Sequence, residues 1–399
     1  MSVDVRSVPL AAIVPRGSIV DFAQKLIRIP SQAGIDPRQP VLNAIADWLS
    51  AHGLEPQLLR DSDNAEVAVL AELNGDPSGP TFCLNACADT APIGAVEAWR
   101  YPPFSARVDG GWLYGRGSAD SKIAEAIFLH LAEHLAPVAR SLQGTLSFLF
   151  DADEHTGGFG GIRAYLERRP NVAGVMVGYP GNYGVIVGAR GFYRVQIRVY
   201  GNAAHSGTRK KGITNAAEKA ADLITKFASC ELVPSSDPDF EFGPKLTVTA
   251  INGGSGFSTV PGSCDVNVDV RLTRTFDSAS AGDLVSRIVT ENHRAFPSPR
   301  ANAILSKETI PAYRLSNDSH IARALRAGAS QAMARDVPAV VCGPSNAGNL
   351  FAKAGVDATC GFGVTYKSIH GVDECIEVES IDMAYRAYLY AVHTLLFTS

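Results

Sequence analysis

The alternation of apolar and polar positions predicts an α/β domain in the first half of the chain. Two helical stretches lie within residues 18–53, and strand-like runs then alternate with helical ones up to about residue 190. The strand-like runs are residues 81–86, 145–150 and 172–177, and the helical stretches between them are residues 121–135 and 161–168. Short apolar runs separated by helices are typical of a mostly parallel sheet.

The periodicity changes near residue 191 and changes back near Pro311. The intervening pattern is a strand at 193–200, a helix at 214–227, strands at 245–251 and 264–273, and a helix at 281–293. This β-α-β-β-α order predicts a small ferredoxin-like unit inserted into the α/β domain. We therefore expect a catalytic domain in two parts, residues 1–190 and 306–399, with an inserted domain at residues 191–305.

Composition and charge narrow the class of protein. A chain of 399 residues with 46% hydrophobic and 19% charged residues is typical of a globular enzyme with more than one domain. The net charge is −4 and lysine and arginine are scattered along the sequence, so we expect no nucleic-acid partner. No apolar run approaches the roughly 18 residues of a membrane helix. Residues 10–14 are too short and too proline-bounded for a signal peptide, which favours a cytoplasmic protein.

Polar side chains follow the predicted strands where each strand ends. Cys87 and Asp89 follow the first strand, Glu154 and His155 follow the second, and Tyr179 follows the third. The carboxyl ends of parallel strands meet at one edge of a sheet, where ligands bind. Carboxylates and imidazoles at one edge suit a divalent metal and a general base.

Several segments resemble the co-catalytic zinc hydrolases, a family that includes aminoacylases, glutamate carboxypeptidases, succinyl-diaminopimelate desuccinylases and acetylornithine deacetylases. The matching segments are residues 99–104, 114–122 and 201–206, the stretch from Gly253 to Arg271, and His370 followed by Glu374. The resemblance covers nearly the whole chain. It implies a zinc-exopeptidase-type α/β catalytic domain with an inserted ferredoxin-like dimerisation domain. It also implies metal-dependent cleavage of an amide bond in a small carboxylate-bearing substrate.

The resemblance implies roles for individual residues. Asp120 would bridge two metal ions, and its peptide bond to Ser121 would be cis. Glu154 would act as the general base. His205 would reach from the inserted domain of a neighbouring subunit to stabilise the developing oxyanion, and Arg271 would bind a substrate carboxylate. A homodimer is part of this interpretation.

The chain departs from the family pattern at three ligand positions. Cys87 replaces a histidine, His155 replaces a glutamate and Tyr179 replaces an acidic residue. Relatives build one metal site from the positions of Asp120, His155 and His370, and the other from those of Cys87, Asp120 and Tyr179. We expect a single zinc ion, or manganese or iron, in the first site. We expect the second to be empty or weak, because tyrosine would have to lose its proton near neutral pH.

The remaining assignments divide the candidate residues by role. The predicted catalytic residues are Glu154, Asp89 and His205; the predicted substrate-binding residues are Arg271, Tyr179, Cys87 and Asn346; the predicted metal ligands are Asp120, His155 and His370, with Cys87 as a weaker one.

Two alternatives to metal-dependent hydrolysis stay open. The fold could serve metal-free acyl transfer or amide formation, with Glu154 and Cys87 in the pocket. It could also serve a non-catalytic protein that holds a carboxylate ligand through Arg271 and His205. An inverted zincin pattern from His130 to His134 lies within a predicted helix, and we interpret it as helix packing because such short patterns often arise by chance.

Overall fold

The computed structural model describes residues 13–232 and 237–397. Most of the apolar stretch at residues 10–14 lies outside this range. By its internal contacts the chain divides into two compact units. The first unit comprises Met1–Val187, Leu315–Val340 and Ala354–Ser399, and the second comprises Gly188–Arg314 and Val341–Lys353.

Helices and strands alternate along the chain as follows. The helices are α1 Arg16–Ile27, α2 Gln39–Ala51, α3 Ile123–Leu135, α4 Gly160–Arg168, α5 Ala216–Ala228, α6 Ser278–Ala295, α7 His320–Met333, α8 Ala347–Lys353 and α9 Ile381–Leu396. The strands are β1 Gln57–Arg60, β2 Glu66–Asn74, β3 Thr81–Cys87, β4 Arg107–Asp109, β5 Trp112–Tyr114, β6 Thr145–Asp151, β7 Gly174–Val177, β8 Val185–Ala189, β9 Gly191–Tyr200, β10 Ala204–His205, β11 Lys245–Gly253, β12 Thr259–Val260, β13 Ser263–Leu272, β14 Ala303–Ile310, β15 Tyr313–Arg314, β16 Ala339–Cys342, β17 Ala358–Cys360, β18 Tyr366–Lys367 and β19 Cys375–Glu377.

A six-stranded sheet forms the centre of the first unit, in the order β1-β2-β6-β3-β7-β17. The four strands from β6 to β17 run parallel, and β1 and β2 are antiparallel additions at one edge. The mostly parallel α/β sheet predicted from the sequence is confirmed. Cys87 lies opposite Asp151 in the register of β3 and β6, so the segments that follow these two strands leave the sheet side by side.

The turn that leads into α3 carries Asp120. Gly117 has a left-handed φ of 80°, and a Cβ there would approach Thr90 Cγ2 to 2.6 Å, so glycine is required on both conformational and steric grounds. The chain then makes one irregular turn over Ser118–Lys122 before α3 begins. The peptide bond between Asp120 and Ser121 is cis, as the family resemblance implies.

The second unit is built on an antiparallel sheet in the order β11-β13-β9-β14. Alternate residues of its strands, among them Val195, Ile197 and Val268, form one core with the apolar faces of α5 and α6. The sequence pattern ended this unit at residue 305, but β14 continues to Ile310 and pairs with β9. The complete order is β-α-β-β-α-β, as in ferredoxin-like folds. The strand escaped prediction because exposed polar residues occupy its centre at 306–307.

The limits of the second unit differ from the predicted inserted domain at 191–305. It begins at Gly188, extends to Arg314, and also includes Val341–Lys353. The last segment joins this unit because α8 packs against β14 and β15. None of the helices within residues 13–232 and 237–397 combines the length and hydropathy that a membrane-spanning segment requires.

Candidate active site

Three of the predicted metal ligands converge in the first unit. Ligand atoms of Asp120, His155 and His370 all lie within 4.8 Å of one another. His370 Nε2 is 2.8 Å from Asp120 Oδ2 and 3.3 Å from His155 Nε2, and His155 Nε2 is 3.7 Å from Asp120 Oδ2. The cluster therefore combines residues that are distant in sequence. They come from the turn before α3, the segment after β6 and the loop before β19.

The donor set and its spacing fit a tetrahedral metal ion. Two imidazoles and one carboxylate are a common ligand set for mononuclear catalytic zinc, and bonds of about 2.0–2.1 Å place tetrahedral ligand atoms roughly 3.3 Å apart. His155 Nδ1, on the other side of its ring, is buried and has no hydrogen-bond partner among the described residues. The nearest carboxylate oxygen, Asp89 Oδ1, is 3.6 Å away. A carboxylate behind a ligating imidazole orients the ring and raises its basicity.

Asp89 holds the segment that carries Glu154 and His155. Its two carboxylate oxygens accept the backbone N–H groups of Glu154 at 3.1 Å and His155 at 2.8 Å. The Asp89 side chain is 2% exposed, so these bonds are shielded from water. Asp89 is one of the predicted catalytic residues, and the structure places its carboxylate against the backbone of Glu154 and His155 and beside the His155 imidazole.

A buried ion pair between Arg116 and Glu374, absent from the predicted site residues, holds Asp120 and His370. The Arg116 guanidinium contacts the Glu374 carboxylate, and both side chains are 1% exposed. Glu374 accepts the backbone N–H groups of Ala119 at 2.8 Å and Asp120 at 3.1 Å. Arg116 Nη2 donates to the carbonyl oxygen of His370 at 3.0 Å. The signal in the sequence was Glu374 four residues after His370, which lies in the matched segments.

The electrostatics of the cluster favour a cation. Burial alone would raise the pKa of Asp120, but close contacts with His155 and His370 lower it well below its ordinary value. Burial alone would lower the pKa of His155, but contacts with Asp120 and Asp89 and the charge of Glu154 raise it well above its ordinary value. The same negative field that stabilises an imidazolium stabilises a divalent metal.

Glu154 lies beside this cluster and accepts a hydrogen bond from the Tyr179 hydroxyl. Burial and the charge of Asp120 raise the pKa of Glu154 to about 7. Burial and the charges of Glu154 and Asp120 raise the pKa of Tyr179 well above its ordinary value. The phenol therefore keeps its proton and acts as a donor to Glu154, an arrangement that does not suit a phenolate metal ligand.

Cys87 lies at the end of β3 with its side chain buried. Its Sγ is 3.6 Å from Asp120 Oδ1 and 3.3 Å from Ser121 Oγ. Burial, followed by the charges of Glu154, Asp120 and Asp89, raises the pKa of this thiol well above its ordinary value. Ligand atoms of Cys87, Asp89 and His155 also lie within 4.8 Å of one another. The protonated thiol disfavours both a thiolate ligand and an activated nucleophile.

The other predicted site residues belong to the second unit. Arg271 on β13 forms an ion pair with Asp269 at 2.9 Å, and its Nη1 donates to Ser345 Oγ at 3.3 Å. His205 is exposed on β10, and its Nδ1 accepts the backbone N–H of Gly207 at 3.1 Å. Asn346 precedes α8, and its side-chain oxygen accepts the backbone N–H of Gly348 at 3.0 Å.

The inverted zincin pattern forms no metal cluster in the described part of the chain. His130 lies in α3 and is 4% exposed, and its Nδ1 is 2.7 Å from the carbonyl oxygen of Ala126. It packs against Trp48 at a ring-centroid distance of 5.1 Å. This geometry agrees with the interpretation of the pattern as helix packing.

Comparison with known sequences identifies relatives of the chain. The family model "Peptidase family M20/M25/M40" matches residues 83–394. A succinyl-diaminopimelate desuccinylase of Parvibaculum lavamentivorans is 29% identical over 274 residues, which are 65% of this chain and 67% of the relative. A succinyl-diaminopimelate desuccinylase of Buchnera aphidicola is 27% identical over 286 residues, 69% of this chain and 73% of the relative.

Solved structures share the fold at low sequence identity. An M20 family metallo-carboxypeptidase from Sulfolobus solfataricus superposes with a TM-score of 0.76 at 17% identity, covering 94% of this chain and 98% of that one. A dinuclear metal-binding M20 peptidase from Bacillus subtilis superposes with a TM-score of 0.70 at 16% identity, covering 95% of this chain and 98% of that one. At such identities the likeness shows the fold.

Proposed function

Because this chain belongs to peptidase family M20/M25/M40 and is a metal-dependent hydrolase of C–N bonds, we propose that it cleaves its amide substrate with a single metal ion. Asp120, His155 and His370 would hold that ion. The observation that carries the proposal is the convergence of their ligand atoms within 4.8 Å. Zinc suits the donor set best, and manganese or iron are further candidates.

The altered positions support one ion over two. A second ion would need a thiolate at Cys87 and a phenolate at Tyr179. Both groups have a pKa raised well above the ordinary value by burial and by neighbouring carboxylates. In the first group the pKa of His155 is also raised, so a metal ion would displace its proton, but an imidazolium releases a proton more readily than a thiol or a phenol does.

The residues of the chain divide the remaining work of hydrolysis. A metal ion held by Asp120, His155 and His370 would supply Lewis-acid chemistry, which polarises an amide carbonyl and acidifies water. Glu154 accepts the proton that the water loses and later delivers it to the leaving amine. The Tyr179 hydroxyl holds one oxygen of Glu154, which keeps the other oxygen available. Asp89 fixes the backbone of Glu154 and His155, so base and ligand keep a constant separation.

The proposed substrate is a small N-acylated or peptide-like molecule with a carboxylate. Two relatives are named as succinyl-diaminopimelate desuccinylases, and Arg271 offers a guanidinium for a carboxylate. The proposal includes a homodimer, in which His205 would act on the substrate bound by a neighbouring subunit. Light scattering that reports only monomers at assay concentrations would remove His205 from the proposed mechanism.

The test of hydrolysis is a panel of N-acyl amino acids and dipeptides, assayed with purified protein before and after chelation. We expect turnover that chelation abolishes and one added equivalent of Zn²⁺ restores. The variant Glu154→Gln should bind metal normally and lose at least about 100-fold in kcat. Turnover that survives complete metal removal would contradict the proposal.

The metal-free alternative receives less support from the same site. Acyl transfer through Cys87 would need a thiolate, which the buried, carboxylate-rich surroundings disfavour. The variant Cys87→Ser separates the two mechanisms, because an acyl-transfer enzyme would lose its nucleophile and its activity, while a hydrolase that uses Asp120, His155 and His370 would keep most of its activity.

A further inference from the structure

A pocket lies among helices α1, α2 and α3 of the first unit, and the proposed hydrolysis uses none of its residues. Its volume is about 430 Å³, within the range of roughly 300–1,000 Å³ typical of small-molecule sites. Six of its lining side chains carry a charge or a ring: Asp21, Phe22, Trp48, His52, His130 and Glu133. The described lining includes two carboxylates and neither lysine nor arginine, so the pocket favours a positively charged ligand.

His130 is a buried imidazole with an unused ring nitrogen. It is 4% exposed, and its Nδ1 lies 2.7 Å from the carbonyl oxygen of Ala126. Because a carbonyl oxygen only accepts, Nδ1 carries the proton, and Nε2 of the neutral ring is an acceptor. Burial lowers the pKa of His130, which keeps the ring neutral near pH 7. Nε2 has no hydrogen-bond partner among the described residues, so the pocket wall holds an acceptor that a ligand can satisfy.

His52 repeats this arrangement at the end of α2. Its Nδ1 lies 2.7 Å from the carbonyl oxygen of Trp48, so Nε2 is again the acceptor of the neutral ring. His52 Nε2 lies 3.9 Å from Glu133 Oε1. In the neutral ring two acceptors therefore face each other with no proton between them. One nitrogen with several N–H bonds, at about 2.9 Å from each acceptor, would donate to both.

Aromatic rings form an apolar wall beside these acceptors. The Trp48 ring stacks on His52 at a centroid distance of 3.8 Å and contacts Phe22 at 5.6 Å and His130 at 5.1 Å. The rings therefore hold one another and the two imidazoles in place. Tryptophan and phenylalanine rings bury apolar groups and attract cations to their faces. The wall suits the apolar body of a ligand whose charged end meets the acceptors.

The spacing of the acceptors favours an organic cation over a metal ion. In the described part of the chain, the groups of three ligand atoms within 4.8 Å of one another lie at Asp120 and at Cys87. The ligand atoms of His52, His130 and Glu133 are thus too far apart to share one ion. A primary ammonium offers three diverging N–H bonds, whereas a quaternary ammonium has none to donate.

We propose that this pocket binds a small primary amine with an apolar body. Its ammonium group donates to His130, His52 and Glu133, and its apolar part packs against Phe22 and Trp48. The proposal goes beyond the proposed function, and the pocket shares no residue with the candidate metal centre. Binding in the pocket can therefore be measured whether or not the hydrolytic mechanism is correct.

Calorimetry on the full-length protein at low salt tests the chemistry of the ligand. The probes are phenethylamine, phenethyl alcohol and phenethyltrimethylammonium, which share an aromatic body and differ in charge and in N–H bonds. We expect phenethylamine to bind at least about tenfold more tightly than the other two, because only it combines a positive charge with N–H donors. Equal affinity for the alcohol or for the trimethylammonium compound would overturn the proposal.

The indole N–H signals of the tryptophans show where the amine binds. The chain has three tryptophans, so substitution of each assigns the signals. Phenethylamine should shift the signal of Trp48 and leave that of Trp99 unchanged, since Trp99 packs against Arg116 near the candidate metal centre. A shift confined to Trp99 would contradict the assignment. Displacement of the amine by Zn²⁺ with a shift at Trp48 would identify a metal site instead.

Substitutions measure the contribution of each acceptor. His130→Leu should weaken phenethylamine binding by more than about tenfold, and Glu133→Gln and Asp21→Asn by about threefold each, since these carboxylates are exposed. The two carboxylate variants keep the test valid if His130→Leu fails to fold. The matched control is Glu167→Gln, which removes an exposed carboxylate of α4 outside the pocket and should leave affinity unchanged. Unchanged affinity in both carboxylate variants would contradict the proposal.

Discussion

The two halves of the candidate metal centre share Asp120 and differ in what they offer on either side of it. On one side, His155 and His370 bring ring nitrogens within 3.7 Å of the Asp120 carboxylate. On the other side, Cys87 and Tyr179 bring a thiol and a phenol, and burial raises the pKa of both. Metal binding to the first half would displace the proton of the His155 imidazolium, whereas binding to the second half would have to displace the more firmly held protons of a thiol and a phenol.

The supporting contacts show the same asymmetry. Asp89 fixes the backbone of His155, and the Arg116–Glu374 pair fixes Asp120 and the loop of His370. By contrast, the Tyr179 hydroxyl is directed at Glu154, the proposed base. The supporting hydrogen bonds are made to individual ligand residues. Replacement of the ligands on one side of the site can therefore leave the ligands on the other side ordered.

The largest predicted effect separates the two halves directly. His155→Ala should abolish stoichiometric metal binding and reduce hydrolysis at least about 1,000-fold, because it removes one of three ligands. Tyr179→Phe removes a donor to Glu154 and should keep one metal ion with a smaller loss, about tenfold in kcat. Metal analysis and kcat measured on both variants check the comparison. Equal metal loss in the two would show that the halves are equivalent.

The second prediction concerns the buried Arg116–Glu374 ion pair, which supports Asp120 and His370. Glu374→Gln should reduce the free energy of unfolding by about 3–5 kcal/mol, because it leaves the buried Arg116 charge without its partner. It should also weaken metal binding about 10- to 100-fold, because Glu374 holds the backbone of Asp120. Denaturant unfolding and metal titration measure the two effects. Wild-type metal affinity in a destabilised protein would limit Glu374 to a structural role.

The third prediction concerns a variant in which metal ligands replace Cys87 and Tyr179. The double variant Cys87→His and Tyr179→Asp should bind a second metal ion at micromolar zinc, because it replaces two proton-retaining groups with an imidazole and a carboxylate. Cys87→Ser is the matched control and should keep one ion, since it changes the thiol without adding a ligand. A double variant that still binds one ion would mean that geometry, rather than protonation, limits this half.

The smallest predicted effect comes from a carboxylate outside the centre. Glu72 pairs with Arg169 at 2.5 Å; burial alone would raise its pKa, but the hydrogen bond and charge of Arg169 lower it. The pair therefore stabilises the protein above the unfolded pKa of about 4.3, and this contribution disappears as the pH falls through the lower folded pKa. Glu72→Gln should cost about 1 kcal/mol at pH 7, since Arg169 is partly solvated, and less at pH 3. Thermal unfolding across this range measures the difference.

Local signals in the sequence predicted the parallel sheet and the edge that carries the polar side chains, whereas the family resemblance implied Asp120, His155 and His370 as one ligand set. Apolar runs mark β3 and β6, and the chemistry-bearing residues Asp89, Glu154 and His155 follow directly where these strands end. The strand β14 gave no such signal, since an edge strand with exposed polar residues lacks the apolar alternation that marks a half-buried strand.

The supporting contacts could not be predicted from spacing. Arg116 and Glu374 lie 258 residues apart, and no periodic pattern relates them. The same applies to the second unit, where Lys245 on β11 and Arg194 on β9 line one groove only because β13 lies between their strands. Contacts of this kind are products of topology, which a reading of local composition does not contain.

The central claim is that Asp120, His155 and His370 hold a single ion. The number of metal ions per chain tests this claim most directly. Elemental analysis of freshly isolated protein, repeated after reconstitution with excess Zn²⁺ and removal of the unbound metal, gives that number. We predict one ion per chain in both preparations, lost in His155→Ala. Two tightly bound ions, or one ion that His155→Ala retains, would contradict the account.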